Sequence, residues 1–193
     1  MKIKSIEEGP LSYLKTFRLS YEDKKGKERI WELVSRGNKE RLEKEIKGES
    51  FSDGAMIVAW DENKEFVVMV REFRVIAGHD VISFPAGLGD EGEDIYTTAI
   101  REFKEETGLD LLPRGMDKAR YTSVGLTNEK VYTVFGSFSG EISTAYQEDN
   151  ERIVPILVDR KKAKELLSEE DVTIRSAFIL RGFFDLPLYE EIL

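Results

Sequence analysis

The 193-residue chain contains no cysteine, which excludes a disulfide framework and any thiolate metal site. Its single histidine, His79, excludes metal centres built from several imidazoles. Any metal must therefore be held mainly by oxygen. No apolar run approaches the roughly 20 residues of a membrane span, and the opening MKIKSIEEGP lacks the apolar stretch of a signal peptide, so the cytoplasm is the expected location. Clusters of Lys and Arg are also missing. With a formal net charge of -9, a nucleic-acid surface is not expected, because such surfaces neutralise phosphates with basic side chains.

About 40% of residues are apolar and 35% charged, which suits a globular chain that folds by itself. Two alternating segments, Leu14 to Tyr21 and Arg29 to Ser35, flank a turn containing Gly26 and predict a hairpin. The charged stretch Asn38 to Gly48, with only Leu42 and Ile46 apolar, reads as a helical turn or an exposed linker. Residues 1–46 are thus expected to form a small N-terminal β-hairpin subdomain with its linker, and 47–193 the main domain. There, strands are predicted at Ala55 to Trp60, Glu65 to Val70, Tyr121 to Val124, Val131 to Phe138 and Ile153 to Val158. Helices are predicted at Asp94 to Thr107, Arg160 to Leu167 and Thr173 to Phe184. Without a repeating βαβ period, the expected class is mixed α/β (α+β), with helices packed on a curved mixed sheet.

The helix from Asp94 to Thr107 carries the chemistry. On a helical wheel Ile95, Tyr96, Ala99, Ile100 and Phe103 fall in one arc that should face the sheet, with Lys104 opposite. Glu102, Glu105 and Glu106 line a border of that arc. Like charges at this spacing weaken a helix by about 0.2–0.5 kcal/mol per pair, and a bound cation would relieve them. Arg101 precedes Glu105 by four residues, the spacing of an intrahelical ion pair, and Gly108 suits a left-handed cap. Upstream, Gly87, Gly89 and Gly92 lie among Asp90, Glu91 and Glu93, in a loop whose backbone can approach a metal or phosphate closely.

Gly87, five residues, Glu93, seven residues, then Arg101, Glu102, Phe103, one residue, Glu105, Glu106, one residue, Gly108 and Leu109 resembles a complete Nudix box, 23 of the 193 residues. The resemblance implies a helix/mixed β-sheet/helix sandwich and a hydrolase acting on a nucleoside diphosphate linked to another group. It implies that Glu102, Glu105 and Glu106 bind magnesium, or manganese in its place, with a backbone carbonyl of Ala86 or Gly87 completing the site. Glu93 and Arg101 would orient these carboxylates. The segments REFR (71–74) and FPAG (84–87) resemble the ADP-ribose and sugar-nucleotide branch, in which Arg74 would contact substrate. WELVSR (31–36) resembles that branch's N-terminal segment, so Trp31 would stack on the base and Arg36 bond the ligand. Ser83 and Val124 depart from the branch, which usually has glutamate and proline there.

Glu129 matches an acidic substrate-side position, and in QEDNE (147–151) Glu148 and Glu151 are candidates for the group that accepts the proton of the attacking water. His79, in the loop between REFR and FPAG, is left out of the site. A homodimer is expected, with the hairpin crossing to its partner. Other diphosphates, such as a dinucleotide or modified nucleoside triphosphate, and a nucleotide-sensing module that does not cleave are the alternatives; the intact Glu102, Glu105 and Glu106 speak against the sensor.

Overall fold

The computed structural model describes residues 13–147 and 152–189. Strands β1 (Lys15–Glu22) and β2 (Glu28–Ser35) form the expected hairpin as a separate two-stranded sheet. The charged stretch that follows is helix α1 (Lys39–Ile46), capped by the Asn38 side chain and anchored by buried Leu42.

The main sheet has seven strands: β3 (Gly54–Trp60), β4 (Val67–Arg74), β5 (His79–Ser83), β6 (Ala86–Leu88), β7 (Asp110–Tyr121), β8 (Lys130–Ser139) and β9 (Ile153–Val158). Its order is β5-β4-β3-β8-β7, with β6 added to β3 and β9 to β4. Among the strand pairs of the described residues, β3 and β8 are the parallel one and the others are antiparallel. Helices α2 (Ile95–Thr107), α3 (Arg160–Glu169) and α4 (Ile174–Phe183) complete the sandwich.

Strand β3 explains why there are two helical layers. Ala55, Ile57 and Ala59 pack with Ala99 and Phe103 of α2, whereas Met56 and Val58 join a second core with Ala163, Leu166 and Leu180 of α3 and α4. A strand buried on both faces needs an unbroken apolar run, and GAMIVAW provides one. Full burial of Phe103 alone contributes about 1.5–3 kcal/mol.

Three expectations need correction. The strand placed at Tyr121 to Val124 is the end of a much longer one, since β7 begins at Asp110 and stops at Tyr121. Pro113 and Gly115 disguise it, and both lie at a register shift against β8. His79 is in β5, paired with Arg74, rather than in a loop. On α2, Tyr96 and Ile100 are exposed, while Thr98, Ala99, Phe103, Glu106 and Thr107 are buried. Eleven residues make about three turns, so Glu106 falls close to Ile95 on the wheel and occupies the buried arc itself.

Candidate active site

Helix α2 is fixed at both ends. The Asp94 carboxylate accepts from the backbone N–H groups of Tyr96 and Thr97, at 3.0 and 3.3 Å, and Gly108 at φ +75° closes the C-terminus with its N–H on the Lys104 carbonyl. Such an N-cap contributes about 1 kcal/mol. The residues between the caps therefore face fixed directions.

Arg101 is the hub. Its Nη1 donates to Glu102 at 2.8 Å and to Glu105 at 3.1 Å, its Nη2 donates to Glu93 at 2.9 Å and to the Leu88 carbonyl at 3.0 Å, and its Nε donates to Glu93 at 3.1 Å. The expected i,i+4 pair with Glu105 is present, and so is the link to Glu93. Hydrogen bonds from Arg101, helped by the Asp90 N–H and the Thr98 hydroxyl, hold the Glu93 carboxyl down to about 2. Thr98 had no role in the sequence reading, which offers no signal for a buried hydroxyl below the helix's apolar face.

Glu106 is 6% exposed, and its Oε2 accepts from the Ala86 N–H at 3.3 Å. The Glu102 carboxylate lies flat on Gly87: a Cβ at residue 87 would stand 1.9 Å from the carboxyl carbon. Strand alternation separates the two carbonyls proposed for metal. Pro85 O accepts from Ile57 N, Gly89 N donates to Asp53 O, and Gly87 O packs against Gly54, so these alternate residues turn to β3. Ala86 and Leu88 turn the other way, where Leu88 O already meets Arg101. Of Ala86 and Gly87, Ala86 is the one whose carbonyl faces the carboxylates.

Among the described residues no three acidic or histidine side chains stand together as a ready-made metal cluster, because Arg101 binds several of these carboxylates. The donor chemistry nonetheless fits a hard cation. It consists of oxygens from Glu102, Glu105, Glu106 and the Ala86 carbonyl, and Glu105 is open to solvent with 43% of its side chain exposed.

Of the predicted substrate residues, the structure brings Arg36 and Glu129 together, while Trp31 and Arg74 each stand in a setting of their own. Arg36 donates to Glu129 at 3.0 Å across 93 residues of sequence, and Thr122 donates to the other Glu129 oxygen at 2.7 Å. Burial by itself would raise the Glu129 carboxyl, but these hydrogen bonds outweigh it and hold the group below its ordinary value. Arg175, on α4, adds a favourable charge interaction to Glu129; nothing in the sequence singled it out. Trp31 lies on the hairpin, 47% exposed. Arg74 ends β4 in an ion pair with Glu72 at 2.6 Å. His79, kept out of the site, pairs with Asp171 at 2.6 Å. Ser83 is buried at the end of β5, and Val124 is exposed in the turn after β7.

Glu148 and Glu151 lie outside the described residues. The preceding Gln147 is firmly placed: its amide nitrogen donates to Glu106 O at 3.0 Å and to Ile153 O at 2.9 Å, tying the end of α2 to the start of β9. This tie was not foreseen, since a polar residue beside an acidic run reads as solvated.

Comparison with known proteins gives a consistent picture. The family model for the NUDIX domain matches residues 50–177. The ADP-ribose pyrophosphatase of Bacillus subtilis is 29% identical over 119 residues, covering 61% of this chain and 63% of that protein. The ADP-sugar pyrophosphatase of Mus musculus is 30% identical over 138 residues, covering 70% and 59%. The chain thus spans about three fifths of the length of these two relatives. A solved structure described as an ADP compounds hydrolase shares the fold, with a TM-score of 0.65 at 19% identity over 94% of this chain and 91% of that one.

Proposed function

The chain belongs to the NUDIX domain family, and from that premise we propose that it is a metal-dependent hydrolase cutting the diphosphate linkage of ADP-ribose or a sugar nucleotide. The observation that carries this reading is the strip of Glu102 and Glu105, held by Arg101, with Glu106 beside them accepting from the Ala86 N–H. The names of the relatives that act on ADP-ribose and ADP-sugars support the substrate class.

Glu102, Glu105, Glu106 and the Ala86 carbonyl would hold magnesium, or manganese in its place. Such a cation, when bound, neutralises the diphosphate and acidifies a water. The protein's own groups supply the rest. Arg101 keeps Glu102 and Glu105 from swinging into solvent, and Glu93 keeps Arg101 in place from the loop side. Glu148 or Glu151 accepts the proton of the attacking water. The Gln147 clamp supports that role, because it fastens the residue before Glu148 to the backbone of Glu106. Arg36, Glu129, Arg74 and Trp31 provide the contacts to the rest of the substrate.

Product analysis on a panel of diphosphates with magnesium tests the reading. ADP-ribose should yield AMP and ribose 5-phosphate, and a chelator should stop the reaction. Turnover that survives exhaustive metal removal, or no cleavage of any diphosphate, rejects it. Substituting both Glu148 and Glu151 by Gln should lower kcat far more than it raises KM. An unchanged kcat in that double variant removes the loop from the mechanism.

We further propose a homodimer that covers Ile30 and Trp31, both exposed on a hairpin too small to be stable alone. A fully active monomer in light scattering at micromolar concentration would refute it.

A further inference from the structure

Ser176, in the first turn of α4, is 1% exposed, and its hydroxyl oxygen accepts from the Phe84 N–H at 3.1 Å and from the Thr173 hydroxyl at 2.8 Å. Phe84 begins the short link through Pro85 that joins β5 to Ala86 at the start of β6. We propose that Ser176 is a positioning residue: by holding the Phe84 N–H it sets the Ala86 peptide against Glu106, and thereby the affinity of the carboxylate strip for a divalent cation. The inference rests on the metal-dependent reading above and gives α4 a part in it.

The sheet brings Ser176 to this place. Thr173 N–H donates to the Ile82 carbonyl at 3.0 Å, and Ile82 N–H donates to the Asp171 carbonyl at 2.8 Å. Residues 171–173 therefore run beside β5, with Val172 bridged in parallel to Ile82, before the chain turns into α4. The first turn of the helix then lies under the residue that follows β5, which is Phe84.

Thr173 shows that helix α4 gives something up for this contact. It is the N-cap of α4, where a threonine oxygen ordinarily accepts from a backbone N–H of the first turn. Here its side chain makes no such bond. The hydroxyl goes to Ser176 instead, so two side chains of the helix start serve a buried N–H in another segment while the helix forgoes its own cap.

Satisfying a buried amide would by itself account for a hydroxyl at 176, but the link beyond Phe84 carries its effect further. The peptide between Pro85 and Ala86 is held at two points: its carbonyl accepts from the Ile57 N–H at 2.8 Å, and its N–H donates to Glu106 Oε2 at 3.3 Å. Two bonds define an axis about which a peptide can still rock. The Ser176 bond, one residue upstream and off that axis, removes the rotation. It can do so because proline fixes its own φ and confines the residue before it to extended backbone, leaving few soft torsions between Phe84 and Ala86. A hard cation such as magnesium tolerates little departure from octahedral geometry, and groups that orient its ligands from outside change affinity by about 10- to 100-fold when removed.

The test is calorimetric titration of the full chain with Mn2+ alone, with amide hydrogen exchange followed by NMR. Ser176→Ala should weaken Mn2+ binding about tenfold and speed exchange at the Phe84 and Ala86 amides by a similar factor. The Gly89 amide, held by the Asp53 carbonyl, should keep its rate. Thr173→Val leaves Ser176 in place without its hydroxyl partner and should weaken Mn2+ about threefold. If Ser176→Ala does not fold, Thr173→Val is the deciding variant. Leu166→Val, buried on α3 in the core that also holds Phe84, should lower Tm and leave Mn2+ affinity unchanged. An equal loss of affinity in Leu166→Val overturns the inference, because any loosening of the core would then suffice. If wild type binds Mn2+ in a manner lost in Glu106→Gln but both hydroxyl variants bind it as well as wild type, the metal-dependent reading stands and the role of Ser176 falls. If the Ala86 amide responds as expected but wild type binds no Mn2+, the positioning of that peptide stands and the metal-dependent reading falls.

Discussion

Helices α1 and α2 each carry an arginine four residues before a glutamate, yet the two pairs serve different ends. In α1, Arg41 holds Glu45 at 3.0 Å and Asp53 at 2.8 Å, and Glu45 and Asp53 are almost wholly buried, with side chains 9% and 3% exposed. Asp53 continues into the body of the protein by accepting from the Lys130 N–H at 3.0 Å, and Glu45 accepts from Asn128. This network ties α1 to the chain at the starts of β3 and β8. In α2, Arg101 gathers Glu93, Glu102 and Glu105 from within its own motif, and Glu105 stays partly open. An identical spacing therefore fastens α1 where its acids are buried, and in α2 leaves one of them, Glu105, at the border with solvent.

The largest predicted effect falls on the α2 side of this comparison. Glu106→Gln keeps the volume of a buried side chain but removes its charge, so kcat should drop by about two to four orders of magnitude while the circular dichroism spectrum stays native. Activity within tenfold of wild type would mean that α2 is no more catalytic than α1.

The α1 network should be read out in stability. Asp53→Ala leaves the Lys130 N–H unsatisfied and takes from Arg41 one of its two carboxylates, Glu45 remaining, a loss of about 1–3 kcal/mol by urea unfolding. Faster proteolytic cutting near α1 should accompany it. An unchanged midpoint would mean that the N-terminal subdomain is held by its strand contacts alone.

A smaller effect comes from pH. The Glu93 carboxyl is held at about 2 in the folded chain against an ordinary 4.5, so its stabilisation is complete above about pH 5 and is lost as pH falls toward 2. Arg101→Gln removes the main cause of that shift. The Tm gap between wild type and variant should accordingly be widest near neutral pH and close on acidification; a gap constant from pH 7 to 3 would assign it to packing. Least of all, Lys44→Ala on the exposed face of α1 breaks a solvated pair with Glu40 and should leave Tm unchanged in a thermal scan.

These networks also explain what could be read in advance. Arg101 finds all its partners within 13 residues, so spacing alone predicted its pair with Glu105, and the Gly108 cap of α2 was equally visible. Arg36 and Glu129 were each selected by resemblance, but their mutual ion pair spans 93 residues and follows only from how the hairpin docks. The Val34 N–H donating to Leu126 O belongs to the same docking. Arg175 was invisible for that reason: an arginine in the first turn of α4 carries no local mark of the distant Glu129 with which it interacts. Strand β7 was cut short because a bulged strand tolerates Pro113 and Gly115, residues that in isolation signal its end.

Gly87 has a consequence for anyone building a variant library of this protein. A methyl group at residue 87 would occupy the space of the Glu102 carboxylate, so all nineteen replacements push the same acid out of register, whatever their own chemistry. Saturation at that codon should return glycine alone among active clones, while Gly115, with nothing within 4 Å of an added Cβ, should return many residues. The candidate site is thereby protected from gradual drift: any base change at codon 87 that replaces glycine acts as a switch, and no series of small steps leads from this site to a neighbouring one through that position.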